Sequence, residues 1–199
     1  MKKAAILIAH GFEEGETLTI VDILRRANLQ CDMIGFSQEV EGAHGVVVDC
    51  DGILSEAVKD YDMVILPGGY GGADALRNSE VDMDILKCMN EAGKYVTAMC
   101  AAPIALERAG VLEGKNYTAY VGYDKKIKQG HYLTDKVVVD GNLITSRGPA
   151  TAYAFAYKLV DVLGGDSLAV KKRMVYFNAF DVKEDESYGK SGSIDGRRF

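Results

Sequence analysis

Short, unbroken apolar runs alternate along this chain with longer stretches in which apolar residues recur every three or four positions. Lys3 to Ala9 is one such run, the pattern of a strand covered on both faces of a parallel sheet. Thr17 to Ala27 carries Leu18, Val21, Ile23 and Leu24 at helical spacing and ends in Arg25 and Arg26, which suit the negative end of the helix dipole. Cys31 to Phe36 predicts a second strand. Glu39 to Asp49 predicts a hairpin, with Gly42 to Gly45 turning and Val46 to Val48 returning. Asp62 to Leu66 is a third core strand, stopped by Pro67 and followed by the loop Gly68, Gly69, Tyr70, Gly71 and Gly72. A helix over Val81 to Ala92, capped by Gly93, leads into the strand Tyr95 to Met99. Ala101 to Ala109 then places Ile104, Ala105 and Arg108 at helical spacing and stops at Gly110. Beyond it come shorter strands around Tyr117 to Val121, Lys136 to Val139 and Leu143 to Ser146. The turn between the last two is Asp140, Gly141 and Asn142, and Pro149 opens a long apolar helix to Leu163.

Alternation of strand and helix predicts an α/β fold, a flavodoxin-like three-layer sandwich around a mainly parallel sheet. With 199 residues, 48% of them apolar and three prolines, one domain over residues 1–186 is expected. The polar, glycine-bearing end, 187–199, reads as a flexible tail or an expression remnant without a role. The net charge of −6 and the lack of a basic stripe argue against nucleic acid as a primary partner. The opening run is too short for a signal peptide or a membrane span and is followed by His10, Gly11, Phe12, Glu13 and Glu14, so no membrane partner is expected. Cys31, Cys50, Cys88 and Cys100 show no CxxC pairing, which suits reduced thiols in the cytoplasm. Cys31 opens a strand, Cys88 lies on a helix face and Cys50 sits in a polar loop.

Cys100 has a different setting. A strand that becomes a helix within one or two residues forces the junction residue into a strained backbone, a nucleophile elbow, and needs small neighbours. Ala98, Ala101 and Ala102 supply them. Pro103 in the first helical turn leaves the cysteine beside free N–H groups and the positive end of the dipole, an environment that favours thiolate.

Three other features converge on the carboxyl ends of the strands. The LPGG loop, through Gly68 and Gly69, reads as an oxyanion hole or as an ordinary glycine turn. Of the carboxylates after the first strand, Glu13 and Glu14 are expected to be solvated, while Glu16 can project inward; beside Cys100 it must be mostly protonated, and the pair then titrates as one unit. As an isolated helix-start residue, Glu16 also has a plain dipole explanation. The third feature is SRGPAT, Ser146 to Thr151. His10 lies near the presumed site mouth, whereas His44 and His131 read as surface residues. No HxxH or HExxH spacing is present, so no metal is expected. Ala101 follows the cysteine, which removes the adjacent Cys-His pair of a protease.

Taken in order, GFEEGETLTIVDILRRA, LPGGYGGADAL, AMCAAPIALERAG, GHY and LITSRGPATA resemble the ThiJ/PfpI superfamily, specifically its DJ-one branch, from Lys3 to about Leu163. The resemblance implies a homodimer with an oxidation-prone cysteine. By motif, Cys100 matches the nucleophile and Glu16 its protonated partner. Gly69 and the Cys100 N–H match the oxyanion donors, Gly148 and Pro149 the far wall, and Arg25, Arg26 and the first helix the dimer face. Two departures stand out. Tyr120 occupies the place of a histidine found in some members, and His44 that of an arginine. Tyr120 can wall the pocket or donate a hydrogen bond, but a phenol of pKa about 10 is a poor base at neutral pH.

The resemblance implies glyoxalase III or deglycase chemistry on methylglyoxal, glyoxal or their adducts, with Cys100 attacking, Glu16 shuttling protons, and no cofactor. Gly68, Gly69, Tyr70, Ala101, Tyr120, Gly148 and Pro149 are the expected pocket. The alternative is a redox sensor or stress-response chaperone acting through peroxide oxidation of Cys100. An intracellular cysteine peptidase is disfavoured by Ala101.

Overall fold

The computed structural model describes residues 2–177 and 179. The chain opens with β1 (Lys3–Ile8) and α1 (Glu14–Arg26), continues through β2 (Gln30–Gly35), β3 (Glu39–Glu41), β4 (Val47–Asp49) and β5 (Gly52–Ile53), and returns to the sheet centre as β6 (Met63–Leu66). Helices α2 (Tyr70–Asn78) and α3 (Glu80–Glu91) lead to β7 (Tyr95–Met99) and α4 (Pro103–Arg108). The remainder comprises β8 (Asn116–Tyr117), β9 (His131–Tyr132), β10 (Val137–Asp140), β11 (Leu143–Ser146), α5 (Ala152–Val162) and α6 (Ser167–Arg173).

Seven strands form the central sheet in the order β10-β11-β7-β6-β1-β2-β5, every pair parallel except β10 with β11. Burial explains the centre. Ile6, Leu7, Ile8 and all of Met63 to Leu66 are wholly inaccessible to solvent, so these strands carry apolar side chains on both faces. From β1 the chain steps to β2 on one side and then to β6 on the other. Right-handed crossovers in opposite directions put α1 and α2–α3 on opposite faces. In agreement, α1 packs on α5, while α2 and α3 pack on α4. This is the mainly parallel flavodoxin-like architecture expected from the alternation. Its switch point lies between β1 and β6, where the carboxyl ends of neighbouring strands diverge and leave a crevice.

Local differences have local causes. Helix α1 begins at Glu14, one turn earlier than the apolar spacing suggests. The glycine loop is shorter than expected, because Gly69 (φ +87°) caps a helix that already contains Gly71 and Gly72. Those glycines allow α2 to lie against the turn after β1: a Cβ on Gly72 would stand 2.9 Å from the Phe12 Cα. The strand expected over Tyr117 to Val121 ends at Tyr117. Its continuation bonds elsewhere, with the Thr118 N–H donating to Thr145 Oγ1 and the Tyr120 N–H to the Cys100 carbonyl, both at 2.8 Å. The expected tail, 187–199, lies outside the described residues. No helix among the described residues is long and apolar enough to cross a membrane.

One buried charge stands out. Asp82, in the first turn of α3, is wholly inaccessible, and neither carboxylate oxygen has a hydrogen-bond partner of normal geometry. Burial pushes its pKa from an ordinary 3.8 up to about 7, offset only in part by the nearby Ser79 side chain. The folded state therefore holds a proton that the unfolded chain releases, so this group's contribution to stability is complete below pH 4 and is lost as pH rises through 7. Asp82→Asn is expected to flatten that loss. Between pH 5 and pH 8.5 the wild type should lose roughly 1–3 kcal/mol more stability than the variant; equal losses in denaturant melts would show that Asp82 titrates normally.

Candidate active site

Strand β7 delivers Cys100 to the crevice, and the backbone turns there at φ +59°, in the left-handed region that a non-glycine residue occupies only under strain. The small neighbours predicted for such an elbow are present and fully buried at Ala98, Ala101 and Ala102. Two bonds fix the turn, from the Cys100 N–H to the Ser146 carbonyl and from the Ala102 N–H to the Met99 carbonyl, each 3.0 Å. Pro103 occupies the first position of α4, where its missing N–H leaves nothing unpaired.

Glu16 reaches the same point from the first turn of α1. It is wholly inaccessible; its Oε2 accepts the Gly68 N–H at 2.6 Å, and its Oε1 has no oxygen or nitrogen partner. Gly68 marks how closely the Glu16 and Cys100 side chains approach. A Cβ there would stand 2.6 Å from the Cys100 Cβ, 2.7 Å from Glu16 Oε2 and 2.9 Å from Cys100 Sγ. Glycine is thus the residue that lets carboxyl and thiol share one small space. Gly69 is required for a different reason: it turns at φ +87° with its α-carbon pressed on the turn at Gly11 to Glu13, where the Glu13 N–H donates to the Gly68 carbonyl at 2.9 Å.

The electrostatics follow from this crowding. Burial pushes Glu16 up to about 7, against the Gly68 N–H and the Cys100 thiol, which favour the carboxylate; the Glu13 charge adds to the rise. Cys100 also moves up, first through burial and then through the charge and hydrogen bond of Glu16, while the N–H groups of Ala101 and Gly69 pull it down. The helix start therefore does not leave Cys100 a free thiolate, as its backbone setting alone suggests. The repulsive part vanishes once Glu16 is protonated, so the two groups titrate as a coupled pair.

The donor set also differs in one member from the one the motif implies. The Cys100 N–H is committed to Ser146, and the amides that face the sulfur are those of Gly69 and Ala101. Tyr70 and Tyr120 do gather here, with ring centroids 6.3 Å apart. Tyr123, outside the motifs quoted above, joins them at 6.4 Å from each; its N–H donates to the Tyr120 carbonyl at 3.0 Å, and its spacing three residues after Tyr120 is the signal in the sequence that points to it. Gly148 lies against Tyr120, a Cβ there meeting the ring at 3.3 Å, whereas Pro149 is exposed at the start of the next turn.

Glu14 is not the solvated residue expected. It is buried, its Oε1 accepting the His44 N–H at 2.6 Å and the Val46 N–H at 3.4 Å, while Oε2 meets His44 Nδ1 at 2.9 Å. Burial would raise its pKa, but these bonds from His44 and Val46 bring it below the usual value; the Glu14 bond and the Glu13 charge raise that of His44. Glu14 thus clamps the β3–β4 hairpin to α1. Donor atoms of Glu13, Glu14 and His44 lie within 4.8 Å of one another, the set among the described residues that could approach a cation, but an ion pair already accounts for them. His10 and His131 are exposed. Arg25 is drawn to Asp51 at 2.5 Å and Arg26 to Asp22 at 2.7 Å. Cys50 is buried rather than set in an open polar loop.

Because the two groups titrate as a coupled pair, alkylation of Cys100 by iodoacetamide should show a step near pH 7 in the wild type that disappears in Glu16→Gln, where no carboxyl titrates. A profile unchanged by the substitution would uncouple them. Gly68→Ala, which forces the pair apart, should cost about 1–3 kcal/mol of stability in thermal or denaturant melts; a neutral effect would show that the space is looser than the contacts imply.

The chain matches the model of the DJ-1/PfpI family over residues 2–162. It is 40% identical over 183 residues to Protein DJ-1alpha of Drosophila melanogaster, covering 88% of this chain and 84% of that one. It is 36% identical over 168 residues to the glutathione-independent glyoxalase DJR-1.2 of Caenorhabditis elegans, covering 82% and 90%. The crystal structure of Drosophila melanogaster DJ-1beta superposes with a TM-score of 0.84 at 38% identity, over 88% of this chain and 98% of that one. A cysteine elbow and buried glutamate on a flavodoxin-like sheet, together with these matches across the chain, establish that it belongs to the DJ-1/PfpI family.

Proposed function

We propose that the protein is a cofactor-independent glyoxalase III or deglycase that converts methylglyoxal, glyoxal or their adducts to 2-hydroxy acids. The observation that carries this reading is the Glu16–Cys100 pair across Gly68, with the Gly69 and Ala101 amides aimed at the sulfur. In methylglyoxal, Cys100 Sγ forms a bond to the aldehyde carbon, and the resulting oxyanion lies near those two amides. The proton held by the pair passes from Glu16 to that oxygen. Glu16, now a carboxylate, takes the proton from the former aldehyde carbon and returns it to the neighbouring carbon, while the hydroxyl proton on the former aldehyde oxygen passes to the former ketone oxygen. The aldehyde carbon is thereby oxidised to a thioester while the ketone carbon is reduced, so no external electron donor enters. Water cleaves the thioester, releases lactate and restores the thiol. A carboxyl with a pKa near 7 suits both directions of transfer.

The glyoxalase named among the relatives supports this reading. Tyr120 in place of a histidine leaves the proton work to Glu16, and neither the Ala101 nor the Tyr120 position offers the imidazole a peptidase would use. The same reading includes a homodimer through the exposed side of α1 and residence in the cytoplasm, which suits four cysteines without a disulfide.

A second reading is favoured by the same two amides. They are placed to hold the oxygens of a Cys100 sulfinate, as a peroxide sensor in oxidative stress requires. Cys100→Ser should abolish lactate formation from methylglyoxal, and Glu16→Gln should lower kcat by about 100-fold or more. Lactate production that survived in Cys100→Ser would refute the enzymatic reading, and two oxygens gained at Cys100 in mild peroxide, read by mass spectrometry, would mark the sensor.

A further inference from the structure

The chemistry proposed above uses the sulfur, the carboxyl and two amides, and leaves the three tyrosines without a task. Their arrangement is specific. Tyr70 and Tyr123 lie nearly parallel, at 11° with centroids 6.4 Å apart. Tyr120 stands edge-on to both, at 83° and 78°. Two of the rings are anchored to the reacting centre by the backbone. Tyr70 directly follows Gly69, and the Tyr120 N–H donates to the Cys100 carbonyl at 2.8 Å.

Exposure runs from one side of the trio to the other. Tyr123 is 4% exposed, with the Lys126 ammonium 4.2 Å from its ring centroid, while Tyr70 is 61% exposed. The cluster therefore has a fixed, buried base and an open aromatic edge beside the cysteine. Burial and the neighbouring tyrosine and cysteine raise the Tyr70 and Tyr123 phenols above their usual value, so both stay neutral and present ring surface. Such surface attracts another aromatic ring in stacked or edge-to-face contact more than it attracts a methyl group. Cys100 is close enough for its charge to act on the Tyr70 and Tyr123 phenols, so the substituent of a 2-oxoaldehyde bonded to the sulfur would have these rings within reach.

We propose that Tyr70, Tyr120 and Tyr123 form an aryl-binding subsite, and that the preferred substrates are 2-oxoaldehydes bearing an aromatic group, which the enzyme converts to 2-aryl-2-hydroxyacetates. The proposal rests on the glyoxalase reading for its reaction but not for the subsite itself. The chemistry is the same internal transfer with one water consumed: the aldehyde carbon is oxidised, the ketone carbon is reduced, and no further reactant is needed.

The test compares kcat/KM for phenylglyoxal and methylglyoxal in the wild type, Tyr70→Ala and Tyr70→Phe, alongside calorimetric binding of the unreactive products mandelate and lactate. The wild type is expected to favour phenylglyoxal and to bind mandelate more tightly than lactate, each by roughly tenfold. Tyr70→Ala should reduce both ratios at least about threefold, and Tyr70→Phe, which keeps the ring, should retain them. Mandelate binding no tighter than lactate, or ratios untouched in Tyr70→Ala, overturns the subsite. If neither aldehyde is consumed while mandelate binding keeps its preference and its dependence on Tyr70, the subsite stands and the glyoxalase reading falls. If both aldehydes are consumed without aryl preference, the reverse holds.

Discussion

The site depends on one steric constraint, the absence of a side chain at Gly68. Two groups from distant parts of the sequence, the Glu16 carboxyl on α1 and the Cys100 thiol after β7, press on the same backbone position, each within 3 Å of where a Cβ would lie. Separating them would give each more room and leave two ordinary groups, a solvated acid and a buried thiol. Burial there raises the Glu16 pKa to about 7, and the contact couples its titration to that of the thiol. The parallel sheet is the means of that approach, because β1, β6 and β7 are neighbours that open their carboxyl ends toward one crevice.

Much of this could be read from residues. The buried strands are legible because both faces are apolar, and the elbow is legible because Ala98, Ala101, Ala102 and Pro103 leave few other backbones for Cys100. Less visible were features decided by tertiary contact. Two glycines mask the start of α2, since local propensity counts them against a helix while the fold uses their bare α-carbons for packing on the turn from His10 to Phe12. The strand expected over Tyr117 to Val121 yields to bonds with a side chain and with the Cys100 carbonyl. Glu14 carries no sign of burial in its sequence neighbourhood, because its partners His44 and Val46 lie some thirty residues away. The rise in the Cys100 pKa is hidden for a related reason: a helix start can be inferred locally, but desolvation and the distance to a carboxyl cannot.

Charge is placed with similar economy in the rest of the crevice. Glu13, Glu14 and Glu16 are near neighbours in sequence with three different fates. Glu13 stands just before the helix and raises the pKa of Glu16, Glu14 is held by hairpin amides and His44, and Glu16 is sealed away. The hairpin is thus anchored through a residue two positions from the proposed acid.

The positive φ of Cys100 has a consequence for the molecule as a whole. A backbone held in that region is destabilising by about 1–3 kcal/mol, comparable with a good part of what keeps a domain folded. A glycine at this position would relieve the strain and remove the thiol in one step. The residue proposed as the nucleophile is therefore also among the least comfortable of the chain, and a sequence drifting toward greater robustness would be drawn to replace it.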